Sequence, residues 1–161
     1  MKTTLISLIA ALTVVTASET AHADKPGTFG IGIGGGTIST GLSLKYYTGS
    51  SFALQGNVGL LGSGRDRFAG QGIAVSVDGL LEQSSLYRNQ YFSLDWNFGL
   101  GGGVGVLSDT LILAAAGVIG LEFNFIPIPI DFVVEYRPTL QILNDVNLDP
   151  IDFSGHVRFY F

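Results

Sequence analysis

The feature that most constrains this chain is a period of two in which the charged residues fall on the wrong face for a water-soluble sheet. From Phe52, one set of alternate positions is Phe52, Leu54, Gly56, Val58 and Leu60, and their neighbours are Ala53, Gln55, Asn57 and Gly59. Strand side chains alternate between two faces, so a strand between two different environments shows this pattern. It recurs. Leu42, Leu44 and Tyr46 alternate with Gly41, Ser43 and Lys45, and Ile73, Val75, Val77 and Leu81 with Ala74, Ser76, Asp78 and Leu80. Phe92, Leu94, Trp96, Phe98 and Leu100 alternate with Ser93, Asp95, Asn97 and Gly99. Ile130, Phe132, Val134 and Tyr136 alternate with Asp131, Val133, Glu135 and Arg137. The last run sets Phe153, Gly155, Val157, Phe159 and Phe161 against Asp152, Ser154, His156, Arg158 and Tyr160.

Two further segments complete the count. Phe29, Ile31 and Ile33 alternate with glycine and form the first predicted strand. Residues 111–121 are an unbroken apolar run whose three alanines also suit a helix. Eleven residues are short for a spanning helix and suit a spanning strand of about 9–11. Glu122-Phe123-Asn124-Phe125 then resumes the alternation. Eight strands result, the even count of a closed antiparallel meander.

The placement of charge selects the class. A soluble barrel wets its outward positions and carries Lys and Glu there. Here Lys45, Arg137 and Arg158 share a face with Asp78, Asp95, Glu122, Asp131 and Glu135, together with Gly, Ser and Ala, while the other face is almost free of charge. Apolar outside and polar inside is the arrangement of a barrel in lipid. The expected fold is therefore all-β: an eight-stranded antiparallel up-and-down transmembrane β-barrel. Its inward charges are expected to pair as a salt-bridged network filling the lumen, because unpaired charge in a narrow interior is costly. Eight strands leave little room for a conducting channel.

Composition narrows the field further. Charged residues make up 13% of the 161 residues, about half the usual ~25%, which excludes intrinsic disorder. With no cysteine, disulfides and thiolate metal sites are excluded. Eight basic residues against 13 acidic ones argue against a nucleic-acid surface. The glycine-rich pieces at 32–36 and 99–105 do not lie between a strand and a helix, and no lysine follows, so they are not phosphate loops. No cofactor and no metal site is expected.

Residues 1–23 read as a Sec-type signal peptide. Lys2 supplies the positive start, residues 5–15 a short apolar core, and Ala21-His22-Ala23 the small-x-small cleavage site. The expected barrel domain is then 24–161. With Asp24 delivered to the periplasm, connections 48–51, 82–89 and 126–129 face that side, and 35–39, 62–70, 101–109 and 140–150 face outward. Tyr46, Tyr47, Tyr91, Phe92, Phe123, Phe125, Phe159 and Phe161 are the expected interfacial aromatics.

The ending His156-Val157-Arg158-Phe159-Tyr160-Phe161 resembles the terminal strand of Gram-negative outer-membrane proteins. In those proteins the final Phe and the alternation before it are read by the barrel-assembly machinery. By that resemblance Phe161, Phe159 and Val157 are the assembly signal. In overall plan the chain is similar to the small barrels of the OmpX and OmpA-transmembrane-domain type. The resemblance implies a bacterial outer-membrane location and contact with outer-membrane lipid and lipopolysaccharide. It also implies a structural or interaction role, with a monomer expected and the oligomeric state otherwise open. The outer connections are shorter than in the OmpX type.

Candidate chemistry is sparse. Some small outer-membrane barrels are lipid A deacylases or acyltransferases that use His with Ser or Asp. The weak catalytic candidates here are His156 and Ser154, with Asp152 one step further along the face. Three residues strung along one strand do not by themselves converge on a nucleophile–base pair. A packing histidine and a non-enzyme are therefore the expectation, with a lipid-modifying enzyme as the alternative and a small-solute pore behind it. Arg65 and Arg67, flanking Asp66, form the only basic cluster and are candidates for contact with lipopolysaccharide phosphates.

Overall fold

The computed structural model describes residues 27–49, 51–62, 72–142 and 146–161. The expected signal peptide and the Arg65/Arg67 cluster lie outside them. All regular structure among the described residues is strand: β1 (Phe29–Gly35), β2 (Ser39–Tyr47), β3 (Phe52–Leu61), β4 (Ile73–Glu82), β5 (Tyr87–Arg88), β6 (Phe92–Leu107), β7 (Thr110–Phe125), β8 (Ile130–Tyr136), β9 (Thr139–Gln141), β10 (Asn147–Asp149) and β11 (Phe153–Tyr160).

Every pairing is antiparallel, and the chain closes on itself. β1 pairs with β2, β2 with β3, β3 with β4, β4 with β6, β6 with β7, β7 with β8, β8 with β11, and β11 with β1. The result is a closed eight-stranded antiparallel barrel. The apolar run 111–121 lies within β7 and is strand, as its length required. Closure is latched at the termini: the Thr28 amide donates to the Phe161 carbonyl at 3.0 Å, and the Phe161 amide donates to the Phe29 carbonyl at 2.9 Å.

Four connections differ from the sequence reading. Residues 101–107, assigned to an outer loop, continue β6, and only Ser108 and Asp109 make the turn into β7. Ser108 takes that turn with φ 54°. The glycines that suggested a loop instead lie flat in the wall, paired from Gly101↔Ala116 to Gly105↔Ile112. Connections 82–89 and 140–150 are not plain loops either. The first carries β5, which pairs with β6, and the second carries β9 and β10, which extend the sheet beside β7.

The fourth difference concerns 35–39. Instead of projecting outward, the β1–β2 turn folds into the barrel mouth, with Thr37 and Ile38 buried at 0% and 3% exposure. Ile38 holds φ 54° there, a conformation β-branched residues rarely adopt. Leu61, Ala74 and Ala114 form an apolar cluster around it. The inward glycines of β6 make the space. A Cβ on Gly101 would meet the Asp78 carboxylate, and one on Gly103 would meet the Thr37 carbonyl.

Outside, the wall is apolar around the whole ring. Ile31, Leu54, Val77, Leu100, Leu121 and Val134 are all large, exposed and drawn from different strands. Tyr47 is the exception among the expected interfacial aromatics. It keeps the inward parity of Ser43 and Lys45, is 5% exposed, and stacks on Tyr160 with ring centroids 5.9 Å apart.

Candidate functional site: the ionic lumen

The eight residues expected to charge the lumen are all buried: Lys45, Asp78, Asp95, Glu122, Asp131, Glu135, Arg137 and Arg158. Glu82 and Asp152 join them inside, giving seven carboxylates to three fixed cations among the described residues. Space for the large groups comes from glycine on the neighbouring strand. Inward Gly30, Gly32 and Gly34 of β1 stand opposite Tyr160, Arg158 and His156 of β11. A Cβ at Gly30 would lie 2.7 Å from the Tyr160 ring, and one at Gly34 would strike the His156 imidazole. Gly101 likewise stands opposite Asp78, and Gly120 opposite Asn97.

Near the chain termini, Lys45 Nζ lies 2.8 Å from Glu82 Oε1, is bonded to Glu122, and sits 4.8 Å from the centre of the Tyr47 ring. Asn97 Nδ2 donates to Glu122 Oε1 at 2.6 Å, and the Tyr47 hydroxyl donates to Oε2 at 3.3 Å. Arg158 grips Asp131 through Nε at 3.1 Å and its terminal nitrogen at 2.9 Å, and the Tyr160 hydroxyl donates to the same carboxylate at 2.7 Å. Asp95 is held by neutral donors: Ser85 at 2.5 Å, Asn124 at 2.8 Å and Ser93 at 3.2 Å.

Further in, Arg137 bridges Glu135 at 2.5 Å and Asp78 at 2.6 Å and also donates to Thr37 Oγ1 of the inserted turn at 3.0 Å. Gln55 joins the two halves. Its carbonyl accepts from Arg158 at 2.5 Å, and its amide donates to both Asp78 and Glu135 at 3.1 Å. The sequence reading placed Gln55 on the polar face but did not assign it to the network, and neither Glu82 nor Tyr47 was assigned there. The inward parity of Gln55 and Tyr47 was legible. Their long-range partners depend on ring closure and barrel stagger, which the local pattern does not carry.

The weak catalytic candidates do not pair with each other. Ser154 Oγ donates to Glu135 Oε2 at 3.1 Å, and His156 Nε2 meets the same oxygen at 3.0 Å. The other imidazole nitrogen, Nδ1, lies 2.9 Å from Ser43 Oγ. Asp152 meets Thr139 Oγ1 at 3.4 Å instead of the imidazole. Ser43, His156 and Glu135 thus form a hydroxyl–imidazole–carboxylate chain, but Ser43 is fully buried. Among the described residues no group of three or more His, Asp and Glu is arranged to hold a metal ion.

The fold and site together define a class: a closed eight-stranded β-barrel, inverted in polarity, with an ionic core and an apolar outer wall. No family model, curated protein or solved structure matches the chain.

Proposed function

We propose that this protein is an integral outer-membrane β-barrel of a Gram-negative-type bacterium with a structural or interaction role in the envelope, its lumen serving as a packed ionic core. The observation that carries the reading is the inversion itself. Side chains such as Ile33, Ile73 and Leu100 stand 70% or more exposed on the outer wall, while Arg137, Arg158 and Lys45 are fully enclosed. Water would penalise that wall. A hydrocarbon surround suits it, and a closed ring leaves no wall-length strand edge in the bilayer. Outer-membrane lipid and lipopolysaccharide are then its immediate partners, and the Val157-Phe159-Phe161 ending is its signal to the assembly machinery.

Conduction is disfavoured because the cross-linked network from Asp131 through Arg158, Gln55 and Arg137 to Thr37 occupies the bore, with the Lys45 and Asp95 clusters beside it. The second reading, an enzyme acting on an acyl ester of lipid A, has one observation in its favour: the Ser43–His156–Glu135 chain. Its buried hydroxyl speaks for packing. In a His156→Ala strain the expected result is unchanged lipid A with a less stable barrel, and lost lipid A modification would establish the enzyme. The membrane reading is tested by comparing boiled and unboiled outer-membrane fractions on a gel. A band that shifts on boiling is expected. A band that never shifts and fractionates with soluble periplasmic protein would overturn it.

A further inference from the structure

The barrel wall is one strand short on one side of its far end. β1 pairs with β11 only as far as Gly34↔His156. Gly35 still pairs with Thr40 of β2, and the chain then dives into the lumen. On β11, Phe153, Ser154 and Gly155 keep their β8 partners Tyr136, Glu135 and Val134, but no strand among the described residues lies along their other edge. With strands about 4.8 Å apart, losing the one between β11 and β2 opens a gap of roughly 10 Å. The structure has a groove of about 720 Å³ at this place. That falls within the ~300–1,000 Å³ of ligand sites.

We propose that this notch binds one acyl chain of a membrane lipid. The inference rests on the membrane reading above. The exposed outward side chains around the notch are Ile33, Phe132, Val134, Phe153 and Val157, all apolar; Thr40 is the one polar outward residue beside them, Ser154 and His156 line the groove from the inward face, and no Lys, Arg, Asp or Glu lines it. An uncharged, flexible hydrocarbon complements that lining, and a charged or strongly hydrated ligand does not. The notch is also continuous with the apolar outer wall, so a chain enters sideways from the bilayer without crossing water. The exposed edge of residues 153–155 adds a polar requirement, because backbone groups facing hydrocarbon must find partners. The ester oxygens at the head of an acyl chain supply acceptors for such donors. Gly155 sits at the centre with no side chain, which keeps the groove deep. A Cβ there would meet only the Val133 carbonyl, at 3.3 Å, so a larger residue fills the groove once that carbonyl gives by a few tenths of an ångström.

The test uses the full barrel refolded into vesicles of phosphatidylethanolamine and phosphatidylglycerol, a fraction of the latter carrying a photoreactive diazirine on its acyl chain. After irradiation, labelled positions are mapped by peptide mass spectrometry. Labelling at Ile33, Phe153 and Val157 is expected to exceed that at Val75, Val77 and Leu100 several-fold, although all six are exposed. Filling the groove with Gly155→Leu, or independently with Ile33→Trp, should reduce it to the level of the wall, with the gel shift verifying that each variant is folded. Even labelling around the ring, or enrichment that survives both filled variants, would overturn the notch while leaving the membrane barrel intact. Absence of labelling everywhere, with protein that does not float with the vesicles, would overturn the membrane reading and this site with it.

Discussion

Replacing Arg137 with Met tests whether the lumen is an ionic core. The guanidinium is fully buried and lies 2.5 Å from Glu135 and 2.6 Å from Asp78. Methionine has a comparable reach but no charge, so two carboxylates are left facing each other in a closed interior. Each charge-assisted hydrogen bond contributes about 1.5–3 kcal/mol, and breaking a buried pair by removing one partner costs about 3–5 kcal/mol. The two figures agree. A loss of that size lowers the folded-to-unfolded ratio by about two to four powers of ten. The remedy is specific. Adding Asp78→Asn and Glu135→Gln removes the stranded charges, and the triple variant should recover most of the loss, since a neutral core of similar volume is tolerated. The assay is equilibrium urea unfolding in detergent micelles, followed by the fluorescence of Trp96, the sole tryptophan, with the gel shift as a second probe. The slope against urea should stay constant, so that the midpoint alone reports stability. A cost below about 1 kcal/mol, the worth of an exposed pair, would refute the reasoning, as would a triple variant no more stable than Arg137→Met.

Three further outcomes follow from the geometry. Gln55→Leu removes one hydrogen bond each from Arg158, Asp78 and Glu135 and should cost about 1–3 kcal/mol or more, read in the same urea titration. Gly34→Val drives a side chain into the His156 ring and should destabilise by about 1–3 kcal/mol, and pairing it with His156→Ala should relieve part of that overpacking in a double-mutant cycle. Gly103→Leu should expel the inserted β1–β2 turn, because its Cβ collides with the Thr37 carbonyl and approaches Ile38 Cγ1 at 2.9 Å. Hydrogen exchange should then quicken at the Gly36 amide, which donates to the Ser39 carbonyl at 2.8 Å. Unchanged protection there would mean that the turn does not depend on the glycine cradle.

The eight strands and the two faces were legible because strand parity is a local signal. Once Phe52 and Gln55 point opposite ways, every residue on that strand is assigned, and the buried set from Lys45 to Arg158 follows. The lengths of β6 and β7 were harder to read. Glycine at 101, 103 and 105 looks like a loop in isolation, and its real purpose, room for Asp78, Thr37, Ile38 and Leu61, depends on segments far away in sequence. The same holds for Gly30, Gly32 and Gly34. They read only as weak strand formers until closure sets them against Tyr160, Arg158 and His156. Tyr47 was misread because its neighbour Tyr46 does face outward, and two adjacent aromatics cannot both do so on one regular strand. Gln55 shows the same limit: its parity was visible, and its bridging partners, contributed by β4, β8 and β11, were not.

The most direct test of the central claim is to ask what surrounds the outer wall. The chain has no cysteine, so single cysteines can be placed at the outward positions Leu54, Val77, Leu121 and Val134, on four different strands, and labelled with a nitroxide in vesicle-reconstituted protein. Collision with oxygen, which concentrates in hydrocarbon, is compared with collision with a water-soluble nickel chelate. The account predicts high oxygen and low nickel accessibility at all four sites. High nickel accessibility around the ring would contradict it and make the barrel a soluble one.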